Sequence, residues 1–257
     1  MKTKLAIALS VLLSTSAVAH EEHSSYHQSC NINIENNVKV TPSLIQVLDG
    51  EKSLYRIENG STLYTQGKAV HLSEEQQALV EEYSALIQEL APQVAQIISD
   101  GLDIAKTAVS GVITELFGQD TELQSKVEQI IAKFEDKAAP MMNQANGEYY
   151  FAQDSIDRAG DDFGQEIERE VETLIKESGG HLLMLVGKMM TSGEAGLADF
   201  EQKMEAFGEK MEAQGDALEA RADAMCQQAK RLDELESRLQ KEIPEFSDYD
   251  LVIQKHI

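Results

Sequence analysis

The sequence predicts a mainly α protein of the α+β class, an elongated antiparallel helical bundle with a small N-terminal antiparallel β-meander packed on one end. Three observations carry this reading. Leu197, Met204, Met211, Leu218, Met225, Leu232 and Leu239 recur every seven residues, an apolar seam along a helix of roughly 70 Å at about 1.5 Å per residue. A second long stretch, Leu79 to Leu116, repeats apolar residues at three and four. Between Cys30 and Leu72 the apolar period drops to two, the signature of strands.

The chain opens with the features of a secretory signal. Lys2 and Lys4 precede an apolar run, Leu5 to Leu13, broken by Ser10, and Ala17-Val18-Ala19 fits small-x-small cleavage. Residues 1–19 are therefore expected to be removed after Ala19, leaving an exported, periplasmic chain. The run is too short to span a bilayer, which takes about 20 apolar residues. The most apolar later stretch, Leu182 to Met190, is short and carries Gly187 and Lys188, so the chain is not expected to be membrane-spanning. Without Lys2 and Lys4, 20 basic residues face 45 acidic ones. That balance repels nucleic acid and anionic lipid and suits cations or basic partners.

Residues 20–29 (HEEHSSYHQS) are polar and aperiodic and read as a flexible leader. Residues 30–72 read as a β-meander of four or five strands. Ile32/Ile34, Val38/Val40, Ile45/Val47, Leu54 to Ile57, Leu63-Tyr64 and Val70/Leu72 are separated by Asn36-Asn37, Asp49-Gly50, Asn59-Gly60 and Gln66-Gly67. Asn-Gly between alternating runs is a hairpin signal. About forty residues of sheet bury too little surface alone, so helices must cover it.

Residues 73–243 read as the helical bundle. Ser73 and Gln76 have capping-box spacing at the start of the first long helix. Pro92 predicts a kink or break, and Phe117-Gly118 the end. Asp120 or Thr121 caps a second helix to Ala138. A third is expected from about Gln153 to Glu177, stopped by Gly179-Gly180. A short apolar helix, Leu182 to Met190, precedes a Ser192-Gly193 break and then the seam helix, which Pro244 ends. Residues 244–257 form a tail of ambiguous structure. The two long helices are of similar length, and laying them antiparallel lets each cover the other's stripe. The small residues from Gly208 to Ala229 would permit close backbone approach. Gln214, Arg221 and Gln228 interrupt a second apolar row and disfavour a coiled-coil dimer, so a monomer is expected.

Cys30 and Cys226 are the two cysteines. A lone pair in an exported chain favours a disulfide, here closing a loop of about 200 residues that the chain-entropy model values at roughly 5 kcal/mol. The competing reading keeps both as thiols.

The order of several soft motifs matches a known family. A β-segment cysteine leads to Gly67-Lys68-Ala69-Val70-His71-Leu72-Ser73, Gln76 or Gln77, Tyr83 and Ser99-Asp100-Gly101. Met225-Cys226, Leu232-Asp233-Glu234-Leu235-Glu236 and Ile243-Pro244 follow. In these the chain resembles the YggN-like family of exported proteobacterial proteins, a domain of unknown function, over essentially the whole mature chain. The resemblance implies a periplasmic address and no catalytic residues.

His20, His23 and His27 form the one cluster of soft ligands, a candidate Cu, Zn or Ni site in the leader, weighed against a merely solvated tail. Asp154, Asp157 and Asp161, and Asp162, Glu166 and Glu170, stack at helical spacing but match no EF-hand or di-iron pattern. Gly-x-Ser-x-Gly, a phosphate-binding glycine loop, His-Glu-x-x-His and Cys-x-x-Cys are absent from the sequence. The chain is therefore expected not to be an enzyme. Met204, Phe207 and Met211 are candidates for an adaptable partner surface, with core packing as the alternative. The expectation is a binding or scaffolding protein acting on envelope or periplasmic proteins, with metal handling by the leader as the second reading.

Overall fold

The computed structural model describes residues 32–117, 121–139, 141, 147–153, 169, 172–173, 176 and 179–254. The period-two segments form β1 (Ile32–Ile34), β2 (Asn37–Thr41), β3 (Leu44–Asp49), β4 (Lys52–Glu58), β5 (Thr62–Thr65) and β6 (Lys68–Ala69). Strands β2 to β6 make an antiparallel meander in chain order. Its turns follow from local chemistry. Asn59 and Gly60 have φ of 50° and 75°, and Gln66 and Gly67 have 49° and 78°. These are the left-handed pairs that bring twisted strands back on themselves.

Two strands lie outside the expected 30–72 module. β7 (Tyr149–Phe151) pairs with β2 and makes the sheet six-stranded, so residues 73–243 are not purely helical. Phe151 places its ring in the sheet's buried face, and three residues are too few to show a period. β8 (Val252–Gln254) pairs with β1 in a separate two-stranded sheet. The tail thus has a fixed place: a 3-10 turn at Pro244–Phe246 seats Phe246 in the core, followed by Tyr249, Leu251 and Val252.

Helix α1 (Glu74–Phe117) begins with the expected capping box. The Ser73 amide donates to Gln76 Oε1 at 2.9 Å, and the Gln76 amide donates to Ser73 Oγ at 3.3 Å. The helix runs through Pro92 without a break. Helix α2 (Thr121–Ala138) packs against α1. The third expected helix, Gln153 to Glu177, lies almost wholly outside the described residues.

The seam helix is longer than predicted. Helix α3 runs unbroken from Gly179 to Glu242, so Gly179-Gly180 opens it and Ser192-Gly193 does not interrupt it. Glycine costs about 1 kcal/mol in a helix interior but keeps its backbone hydrogen bond. Without a proline or a left-handed cap, such a pair weakens a helix rather than ending it.

The two long helices are antiparallel. Gln76 Nε2 donates to the Glu242 carbonyl, Arg231 meets Glu82 at 2.6 Å, Gln93 Nε2 meets Gln228 Oε1 at 3.4 Å, and Arg221 pairs with Asp100. Numbers fall along α3 as they rise along α1. Arg221 and Gln228, which interrupt the second apolar row, thus find their partners within the chain. The hydrogen bond from Gln96 first, and then the hydrogen bond and charge of Arg221, hold the Asp100 carboxyl below its ordinary range.

The close approach falls on different glycines from those expected. No described atom lies within 4 Å of a Cβ built on Gly208 or Gly215. On α1, by contrast, a Cβ on Gly111 would lie 2.3 Å from Phe207 Cε2, and one on Gly101 would lie 3.7 Å from Leu218 Cδ2. Small residues admit a neighbour only where they face one, and here the α1 glycines face the large residues of α3.

The core lies where α1 begins and α3 ends. Val38, Val40, Ile45, Val47, Tyr55, Ile57 and Leu63 line one sheet face against α1, and Leu232, Leu235, Leu239 and Ile243 extend the same core from α3. Farther out the pair is less covered: on α3 no residue from Phe200 to Met225 is fully buried.

The Gly111–Phe207 contact sets a double-mutant test. In a Phe207→Ala background, Gly111→Ala should stabilise the protein by helix propensity, about 1 kcal/mol. With Phe207 present, the added methyl displaces the ring and that gain should be lost, giving a coupling of ~1–2 kcal/mol by urea denaturation.

Candidate functional site

Among the described residues, Glu236 is the one acidic side chain in the core, 1% exposed. The heptad places it there: four residues after Leu232 and three before Leu239, it falls on the apolar face of α3. Three donors from two elements converge on its carboxylate. The Tyr83 hydroxyl donates to Oε1 at 2.7 Å from α1, and the Leu251 amide donates to the same oxygen at 2.9 Å. The Val252 amide donates to Oε2 at 3.1 Å. Behind Tyr83, the Tyr55 hydroxyl of β4 lies 2.7 Å from the Tyr83 hydroxyl. Since Tyr83 commits its proton to the carboxylate, Tyr55 donates to Tyr83, and a hydroxyl relay runs from sheet to α1 to α3.

Aromatic rings seal the relay. Phe246 stands edge-on to Tyr55 at 4.8 Å between ring centres and to Tyr83 at 6.2 Å. Tyr249 packs on both Phe246 and Tyr55. Around the seal, Gln240 Nε2 donates to the Tyr249 carbonyl at 2.9 Å, and Asn36 Nδ2 to the Asp250 carbonyl at 2.8 Å. The Glu35 amide reaches the Leu251 carbonyl at 3.0 Å. Segment 249–252 is therefore held by α3 and by the β1–β2 connection together.

The electrostatics of the cluster follow from burial. Loss of water drives the Glu236 carboxyl up to about 7, its three donors oppose the rise, and the nearby charge of Asp250 adds to it. Burial first, and then the Glu236 charge, pushes both Tyr55 and Tyr83 well above the usual phenol range. Asp233, on the same helix, is raised by partial burial and by Asp250 and Glu234. The arrangement ties three elements through one carboxyl group, which can exchange a proton near neutrality.

The sequence-derived candidates fall elsewhere. His20, His23, His27 and Cys30 lie outside the described residues, as do Asp154, Asp157, Asp161, Asp162, Glu166 and Glu170. Cys226 is on α3 and buried at 2% exposure. Met204, Phe207 and Met211 line one face of α3 and are half-buried, with Phe207 against Gly111. Among the described residues, no group of three or more His, Cys, Asp or Glu side chains is placed to hold a metal ion, and no helix is long and apolar enough to cross a membrane. Sequence reasoning passed over the Glu236 cluster because Tyr55 and Tyr83 read as ordinary apolar positions. The available signal was a single glutamate on the apolar face, within Leu232-Asp233-Glu234-Leu235-Glu236.

The relay ranks two conservative substitutions. Tyr83→Phe removes a donor to the carboxylate and strands the Tyr55 hydroxyl, and should cost about 2–3 kcal/mol. Tyr55→Phe leaves the Tyr83–Glu236 bond intact and should cost about 1 kcal/mol. Urea denaturation at pH 8, where Glu236 is ionised, reads both; equal costs would contradict the direction of the relay.

No curated protein and no solved structure matches this chain. A protein-family model does, over residues 30–252, a span that includes every element from β1 to the start of β8. On that match the chain belongs to the DUF2884 family, a family of proteins of unknown function.

Proposed function

We propose that this is an exported, non-enzymatic binding or scaffolding protein of the cell envelope, which acts in the periplasm through protein–protein contact and whose helices assemble as an elongated bundle. The observation that carries the reading is the outer length of α3. Met204, Phe207, Met211, Leu218 and Met225 form one apolar row that is only half-covered among the described residues. Half-exposed methionines on a helix suit an apolar helix of another protein, because the unbranched thioether repacks against varied surfaces. The strongest titratable cluster, around Glu236, is sealed in the core and has its hydrogen bonds satisfied by the chain itself, which favours binding over catalysis. The apparent signal sequence, with cleavage after Ala19, and the resemblance to YggN-like exported proteins support the address.

A photo-crosslinking residue at Met204 or Met211 in the full-length protein, expressed in its own envelope, should yield a discrete adduct. The same residue at exposed Glu205 or Glu212 should not. Adducts from all four positions alike, or from none, would overturn the reading.

The same proposal includes a Cys30–Cys226 disulfide. It rests on the pairing of two cysteines in an exported chain, on the burial of Cys226, and on β1, which begins two residues after Cys30 and packs against α3. A non-reduced digest of protein purified from the envelope should contain the two cysteine peptides joined. Alkylation of both thiols in that oxidised material would exclude the bridge.

A further inference from the structure

The carboxyl group of Glu236 has two ways of satisfying its surroundings. When it is ionised, Tyr55 donates to Tyr83 and Tyr83 to Oε1, while the Leu251 and Val252 amides complete the shell. When it is protonated on Oε1, its own O–H donates to the Tyr83 oxygen and the Tyr83 proton turns toward Tyr55. The 2.7 Å Tyr55–Tyr83 bond accommodates either direction. Both tail amides keep an acceptor oxygen in both states, so no heavy atom needs to move.

The two states differ in charge. The groups that bear on Glu236 are Tyr83 from α1, the Leu251 and Val252 amides, and Asp250 from the tail; Tyr55 joins through Tyr83, and Asp233 of α3 bears on Asp250. None is a cation. Ionisation therefore leaves a negative charge sealed beneath segment 249–252, beside the like charge of Asp250, and a buried charge without a counter-ion favours any opening that lets water in. That segment is short and is fastened to α3 and the β1–β2 connection by the few bonds given above, so it can open as a local unit.

We propose that Glu236 is a proton-controlled latch: protonated, it holds segment 249–252, and with it the β8–β1 pair, against α3, and on ionisation it loosens them. The sign follows from linkage. Burial raises the closed-state carboxyl from its ordinary 4.5 to about 7, and opening returns it to water. Opening therefore releases a proton between those values and becomes easier as pH rises, by up to tenfold per pH unit. The holding contribution is complete below pH 4.5 and gone once pH passes 7. Because β1 pairs with β8 at Ile32–Gln254, Asn33–Ile253 and Ile34–Val252, release of β8 also removes the pairing partner of β1.

Amide hydrogen exchange on the full chain tests this. Protection of Leu251 and Val252, corrected for intrinsic exchange, should fall about 30-fold between pH 5.5 and pH 8. In Glu236→Gln the same ratio should be close to one. Equal protection at both pH values, or the same fall in the variant, would overturn the latch. Should the variant fail to fold, the carboxyl carbon of Glu236 in the wild-type protein decides by NMR. A midpoint near 7 upholds the proposal, and one in the ordinary range of 4 to 5 overturns it.

Discussion

The first five turns of α1 must bury two faces at once, and the architecture follows from that constraint. Leu79, Val80, Tyr83, Leu86, Ile87, Leu90 and Ala91 are all nearly inaccessible to water, a wider arc than one neighbour can cover. The sheet takes one side, through the alternating residues of β2 to β5, and the end of α3 takes the other. A meander of this size is unstable alone, and an isolated helix of this length has no reason to choose its register. Each supplies what the other lacks, so neither the sheet nor the helix pair is an independent piece.

Within that wall, apolar contact and polar contact divide the work. Apolar burial is non-directional and would tolerate a sliding α3. Direction comes from groups that accept few geometries: Gln76 on the last carbonyl of α3, the Asp100–Arg221 and Glu82–Arg231 pairs, and above all Glu236 with its three donors. The exposed ion pairs contribute little energy each, but together they disfavour a shifted register. The buried carboxylate contributes differently. A carboxyl group in the core needs polar partners in either protonation state, and the Leu251 and Val252 amides supply them, so the position of the tail is tied to Glu236.

The molecule is graded along its length. Where α1 begins and α3 ends, core packing is dense and includes strands from three separate parts of the chain. Beyond Asp100 and before Met225 the described side chains of α3 are at most half-buried, with Phe207 lying against Gly111. Among the described residues, fully buried and half-buried apolar side chains therefore occupy different stretches of the helix pair. The tail joins the buried end by area, through Phe246, Tyr249, Leu251 and Val252, and by the hydrogen bonds of its amides to Glu236.

What the sequence determined by itself is what depends on neighbours in the chain. Strand alternation, the left-handed turns at Asn59-Gly60 and Gln66-Gly67, the Ser73–Gln76 cap and the heptad of α3 are local effects, and each is visible as spacing or residue type. The antiparallel pairing of α1 with α3 was also legible, since two long stripes of matching length offer each other the simplest cover. Tertiary structure decided the rest. Gly179-Gly180 and Ser192-Gly193 have a weak local preference against helix that continuation of the helix overrides. Tyr149–Phe151 and Val252–Gln254 are too short to declare themselves and become strands only because β2 and β1 present open edges. Glu236 reads as one more charge in an acidic chain until Tyr83, Leu251 and Val252 are brought to it from 153, 15 and 16 residues away. Spacing records which face a residue occupies, and only the folded chain decides what stands opposite.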